Sequence, residues 1–360
     1  MSSATLTQSP PALAVTPRGR LWRITNNYYV NRIFKALLTI FIVMTLTFFI
    51  VHLMPGSPVE VYVQSLIGQY GLSYQDALNQ AAALFAVDLH EPMWRQYIDY
   101  LGQVFQGNLG NSLLSPGTPV SSVVLGYMPW TLFSVGTALL ISFTLGVALG
   151  MIMAYTRGSM LDHVLTALGS IFHSIPSYIT AILLVVILGI QLKVFNVATL
   201  RGSYSPGLQV GLNPTFFFDA LHHAILPIIT YVLTTVGTWM LIMKSNTISV
   251  IDEDYVTVAR ARGLTDWRIT TGYVGRNAIL PLVTQLAIAA GFVVGGSILI
   301  ESIFVYQGIG YILGSAIGQR DYTILQGILL IITISVVVSN LLADLLYGRI
   351  DPRVRVQTEE

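Results

Sequence analysis

Four acids and four arginines gather in one stretch of a chain that is otherwise poor in charge. Asp252, Glu253 and Asp254 lead it, and Arg260, Arg262, Arg268 and Arg276 follow, within residues 252–281. Long apolar runs lie on both sides. Acids at the start suit the positive end of a short helix, and the arginines behind them suit docking, on another protein or on lipid headgroups.

Catalytic chemistry is missing. A phosphate-binding Walker loop needs Gly-Lys-Ser/Thr, and Lys35, Lys193 and Lys244, the only lysines, do not follow a glycine. No HExxH or GxSxG occurs, and no paired acids point to a soluble catalytic cleft. The absence of cysteine excludes disulfides, zinc–thiolate sites and thiol nucleophiles. No residue is assigned to catalysis, to a metal or to a bound cofactor. Ion-coupled transport needs titratable groups in the membrane path. Here Glu301 and Asp344 lie near span ends, as do His52, His222 and His223, and only His173 looks deep. A lone histidine reads as a packing residue or as a relay.

These residues must be held by membrane helices. The chain is 54% hydrophobic and 10% charged, with a mean hydropathy of +0.69, whereas soluble domains carry roughly 25% charged residues. A net charge of +1 gives no reason to invoke nucleic acid. A helix needs about 20 apolar residues to cross a bilayer, which predicts an all-α polytopic protein with spans at 33–53, 131–154, 164–192, 222–243, 278–301 and 324–347. The first run ends in His52-Leu53-Met54-Pro55-Gly56 rather than a small-residue cleavage site, and so reads as an uncleaved anchor. With both termini in the cytoplasm, fourteen of the eighteen Lys and Arg fall inside. Residues 1–32 form a basic tail, 54–130 an extracytoplasmic segment, 131–347 a five-helix core with an inner loop at 244–277, and 348–360 a C-terminal tail. Met93, Tyr97, Ile98, Leu101, Val104 and Phe105 recur at helical spacing, so an amphipathic helix is expected to lie on the membrane or against the outer span ends. Ser174-Ile175-Pro176-Ser177 predicts a break in the third span, as a packing kink or as part of a path.

Within the inner loop, Ser249 with Asp252 can cap a helix start. That helix should stop at Gly263, a C′ residue. Thr265 or Asp266 can cap a second helix through Trp267, Ile269 and Tyr273, and Pro281 suits the first turn of the next span. A short, rigid helix held between two spans transmits a push that a flexible loop would absorb.

The run Asp254-Tyr255-Val256-Thr257-Val258-Ala259-Arg260-Ala261-Arg262-Gly263, followed by Arg276-Asn277-Ala278 and Pro281, resembles the inner-loop signature of permease subunits of binding-protein-dependent ABC transporters, in the dipeptide/oligopeptide/nickel branch. The general pattern opens Glu-Ala-Ala, and Thr257-Val258-Ala259 keeps only its last alanine. The interval from Gly263 to Ile279 is longer than the general pattern, as is similar in the peptide branch. Further matching pieces are Pro55–Pro58, Gln96-Tyr97, Gly107–Ser112, Ser174–Ser177, Glu301–Phe304 leading to Gly308-Ile309-Gly310, Arg320–Tyr322 and Asp351–Arg355. The resemblance covers most of residues 30–355. It implies a type I ABC importer permease in a prokaryotic inner (plasma) membrane. The helix Asp254–Gly263 would couple to an ATPase, supported by Arg276, Asn277 and Pro281. The implied partners are two ABC ATPase subunits carrying ATP and Mg, a second homologous permease chain and an extracytoplasmic solute-binding protein. Ser174, Pro176 and Glu301 are candidates for the path, with capping or packing as their other reading. Peptide, nickel-chelate and oligosaccharide systems share this architecture, and no residue selects among them. The competing readings are a self-sufficient secondary transporter or channel, which the missing ionisable groups disfavour, and a membrane enzyme or scaffold, which lacks a catalytic constellation.

Overall fold

The computed structural model describes residues 28–84, 92–113, 115, 117–211 and 213–350. Residues 1–27 of the tail and the Asp351–Arg355 motif lie outside the described residues, as does the side chain of Asp344. Regular structure among the described residues is helical, apart from one antiparallel bridge between Asn111 and Pro119.

Among the described residues, four helices are long and apolar enough to cross a membrane. They belong to α1 (Tyr28–His52), α5 (Val120–Tyr155), α8 (Pro214–Ile251) and α14 (Tyr322–Ile350). Two further predicted spans are not continuous rods. Met160–Ser174 (α6) and Ser177–Gln191 (α7) meet at 100°, and Asp266–Ala278 (α10) and Leu280–Val293 (α11) meet at 50°. The first bend falls at Pro176, which N-caps α7 and lacks the N–H that would continue the ladder. The second precedes Pro281, at the start of α11 as expected. The predicted fifth span, 278–301, also ends early: α11 stops at Val293, and residues 294–297 turn the chain into α12 (Ile298–Ile303) and then α13 (Ile309–Gln319). Two other spans run past the predicted 131–154 and 222–243, to Val120–Tyr155 and Pro214–Ile251, with Pro129 and Pro227 inside the helices.

Helix α8 is the central element, and glycines let its neighbours approach closely. A Cβ on Gly150 of α5 would stand 2.6 Å from the Met240 carbonyl oxygen, and one on Gly146 would overlap the Trp239 side chain. On the other side Gly237 touches Gly169 of α6, where a Cβ would overlap the Gly169 carbonyl. Small residues at such crossings replace the hydrophobic drive that lipid removes.

At the end opposite the 252–281 loop, α2 (Pro58–Tyr70), α3 (Tyr74–Leu84) and α4 (Met93–Phe105) precede α5. The amphipathic helix is therefore present, and it leans on α1. Tyr97 and Thr45 share a 2.7 Å hydroxyl contact, and Phe48 stacks on Tyr100. Met93, Ile98 and Phe105 of the expected apolar face stay exposed. Separate motifs meet here as well: Ser112 donates to the Asp321 carboxylate at 2.5 Å, and the Tyr322 hydroxyl donates to the Gly56 carbonyl at 3.0 Å.

Gly237→Ala should lower the thermal midpoint of the detergent-purified protein, because the obstacle is backbone and overpacking costs about 1–3 kcal/mol. Gly102→Ala, in α4 with nothing within 4 Å of its Cβ, should leave the midpoint unchanged or raise it. A thermal melt of the two variants reads the difference.

Candidate functional site

The charged loop folds as a small supported platform. Helix α9 (Asp254–Ala261) follows α8 after a two-residue turn. Its cap is Glu253 and not Ser249: α8 runs on to Ile251, and the Ser249 hydroxyl donates to the Ser245 carbonyl inside it. The reason lies in packing, since Val250 and Ile251 join the apolar cluster beneath α9 and keep that last turn helical. The C-terminus follows the expectation. Gly263 adopts φ +73°, its N–H bonds to the Arg260 carbonyl, and the Leu264 N–H reaches back to the Ala259 carbonyl at 3.4 Å. This is the double bond pattern of a Schellman motif, with Leu264 and Ala259 packed in the same cluster.

Val256 and Ala259 are buried against Ile269 and Val274 of α10. They anchor the helix, so they cannot touch a partner. Asp254, Tyr255, Arg260, Ala261 and Arg262 are exposed, and so is Val258, at 55%. Trp267, on the next helix, is 77% exposed. Val258 and Trp267 are apolar side chains standing among arginines, and the sequence reading did not single them out as contacts. Their signal is legible only once Val256 and Ala259 fix which face of α9 is covered.

α10 supports the platform from behind. Its middle, Ile269–Gly275, is a π-helix, a widened turn frequent at functional sites. Asn277 donates to the Tyr273 carbonyl at 2.7 Å, and Asn246 of α8 donates to the Ala278 carbonyl at 3.2 Å. Arg276 and Pro281 are exposed beside this junction. The platform is thus tied to α8 at both of its ends.

A second polar grouping joins α6 to α8. The Lys244 ammonium meets the Asp162 carboxylate at 2.5 Å and the Thr166 hydroxyl at 3.0 Å. Asp162 also accepts from the Gly158 N–H, and Ser159 caps α6. Higher up, the Thr238 hydroxyl and His173 Nδ1 lie 2.9 Å apart. Ser174 and Pro176 are exposed at the bend.

Glu301 stands elsewhere. It is fully buried on α12, with its carboxylate accepting from the Tyr311 N–H at 3.0 Å and the Thr131 hydroxyl at 3.1 Å. Thr131 in turn accepts from the Ile309 N–H at 2.7 Å. The pair caps α13 and ties it to α5, so the capping reading of Glu301 fits its geometry and an open path does not. A separate cavity of about 830 Å³ is lined by aromatic residues, among them Trp130, Phe133, Tyr204 and Phe216. Among the described residues no cluster of three or more metal-ligating side chains occurs.

Comparison with known proteins agrees with this architecture. Residues 146–356 match the family model described as binding-protein-dependent transport system inner membrane component. The chain is 31% identical to the di/tripeptide transport system permease protein DppB of Pseudomonas aeruginosa, over 92% of this chain and 99% of the relative. It is 32% identical to the dipeptide transport system permease protein DppB of Escherichia coli K12, over 86% and 93%. The oligopeptide transport system permease protein AppB of Bacillus subtilis is 28% identical over 91% and 98%. A model matched over more than half the chain, a platform carried between apolar helices, and relatives aligned nearly end to end lead to one conclusion: this chain belongs to the family of inner membrane components of binding-protein-dependent transport systems.

Proposed function

We propose that this chain is the membrane-spanning permease of an ATP-driven importer of peptides, with Asp254–Gly263 as its coupling helix. The observation that carries the reading is the exposed pair Val258 and Trp267, set among Arg260, Arg262 and Arg268 on a platform that Val256 and Ala259 fix from below. Exposed apolar side chains rimmed by charge mark a protein or a membrane contact, and a face held rigid by a packed cluster beneath it suits a protein partner. No Walker loop occurs in the sequence, so ATP and Mg are assigned to two ABC ATPase subunits docked on such platforms. With each bent pair taken as one crossing, six spans return both termini to the platform's side, where fourteen of the eighteen Lys and Arg then lie. That side is the cytoplasm. An extracytoplasmic binding protein delivers the solute at the opposite end, and a second homologous permease completes the path. Peptide is the cargo that the printed names of the relatives support.

The ATPase activity of the reconstituted transporter, stimulated by peptide-loaded binding protein, tests the platform. Val258→Asp and Trp267→Ala should each lower stimulation by about tenfold, the equivalent of about 1.4 kcal/mol of lost docking. Neither should reduce membrane insertion, since both side chains are exposed. Full stimulation in both variants would remove the coupling assignment.

Gly263→Val should uncouple hydrolysis from uptake, because an L residue in the left-handed region costs about 1–2 kcal/mol and a β-branched one suffers most. Nothing lies within 4 Å of the position of a Cβ there, so Gly263→Asn, which tolerates that region, should keep most transport. Uptake of labelled peptide into proteoliposomes separates the two.

A further inference from the structure

The polar residues of α6 do not scatter. Asp162, Thr166, Ser170 and Ser174 succeed one another at intervals of four, with His173 beside Ser174, so all five share one face. The opposite face carries Leu161, Val164, Leu168 and Ile171, each between 42% and 52% exposed. The flank of the polar stripe nearest Asp162 and His173, at Gly169, rests on Gly237 of α8. An apolar exposed face suits lipid. The polar one does not: Ser170, His173 and Ser174 are exposed too, and an imidazole facing hydrocarbon is costly. Helix α8 extends the stripe by presenting Thr238 to His173 and Lys244 to Thr166. At its top the stripe reaches the 100° bend between Ser174 and Ser177, and broken backbone at membrane depth is tolerated where it lines a water-filled cavity or is buried in protein.

We infer that the stripe Thr166–Ser170–His173–Ser174, with Thr238 of α8, faces a hydrated translocation path and binds the backbone amides of the passing peptide. This rests on the importer reading above and names the surface that handles its cargo. Charge supports the choice of ligand. The full charges on the stripe are Asp162 and Lys244, which neutralise each other at 2.5 Å. What remains is hydroxyl and imidazole, groups that exchange hydrogen bonds with neutral amides and do not sort side chains by charge. Contacts of this kind are weak and repeated, as passage requires. The Ser174 hydroxyl already donates to the Ser170 carbonyl at 2.8 Å, which leaves its oxygen to accept from a peptide N–H.

The chain contains no cysteine, so single thiols can be read without background from it. Ser170→Cys and Ser174→Cys, with Leu168→Cys and Ile171→Cys as lipid-facing controls, are assembled with the ATPases and the partner permease in proteoliposomes. A sulfonated, membrane-impermeant maleimide is added, and labelling of this chain is resolved on a gel. Thiols in apolar surroundings lose about tenfold in thiolate for each unit their pKa rises, so Ser170→Cys and Ser174→Cys should label at least about tenfold faster than the controls. Peptide-loaded binding protein with ATP should change that rate. Equal labelling of both faces would overturn the inference, as would slow labelling of both serine variants, the result expected if a partner helix covers the stripe. Labelling indifferent to peptide in every nucleotide state would mean a dead-end crevice and would overturn it as well. Stimulated ATPase activity, measured on the same samples, keeps the outcomes apart: its survival with failed labelling removes the path alone, and its absence in the unmodified transporter removes the importer reading.

Discussion

The close contact of α8 with α5 and α6 sets the geometry on which both the loop and the bend depend. Gly146 and Gly150 admit the Trp239–Met243 turn, and Gly169 admits Gly237, so three helices meet with backbone almost touching backbone. In hydrocarbon, association draws on packing and on hydrogen bonds rather than on water release, and a missing Cβ is what allows the approach. Below this crossing α8 continues to Ile251 and carries the α9 platform. The Lys244–Asp162 pair then ties the same stretch of α8 to the start of α6. The continuous helices α8 and α6 thus connect the platform to the Ser174–Ser177 bend.

The far end is held by a different device. The turn after α11 brings Gly296 and Gly308 against Glu301, at positions where any side chain would collide with its carboxylate or with Thr131. Backbone N–H groups at a helix start have no partner within the helix, and those of Ile309 and Tyr311 are met by Thr131 and Glu301. Burying a carboxylate is costly unless it is hydrogen-bonded. Here the cost is offset by fixing α12, α13 and α5 at one point, so this end of the bundle has a rigid anchor while the loop end carries the exposed contacts.

The apolar runs made the long helices legible in the sequence, and the Ser-Ile-Pro-Ser element made the bend legible. Gly263 announced its own positive φ. Three things were not legible, each because it depends on a neighbour far along the chain. Ser249 and Asp252 form an acceptable cap by spacing, but Val250 and Ile251 are drawn into the cluster under α9 and carry α8 past them. Glu301 was placed at the end of a continuous span because residues 278–301 are apolar almost throughout. The positive φ of Gly296 and the cap on α13 break that run instead. Val256 and Val258 look equivalent by composition, and only the position of Ile269 and Val274 decides which is anchor and which is exposed.

The same distinction bears on how a permease can be driven from outside yet stay indifferent to the identity of its cargo. A strong site on the path would hold one solute and stall the others. The polar groups exposed at the bend are hydroxyls and one imidazole, and the adjacent ion pair is closed on itself. Under the path inference, recognition by such a surface is shallow, which leaves selectivity to an earlier step. The concentrated apolar and basic features stand instead at the loop, where Val258, Trp267 and the arginines present a contact with directional leverage on α8. On the proposed reading, force enters where the apolar and basic contact is concentrated, and cargo passes where only weak hydrogen-bonding groups stand. Such a division suits a permease that moves a solute with energy released on another subunit.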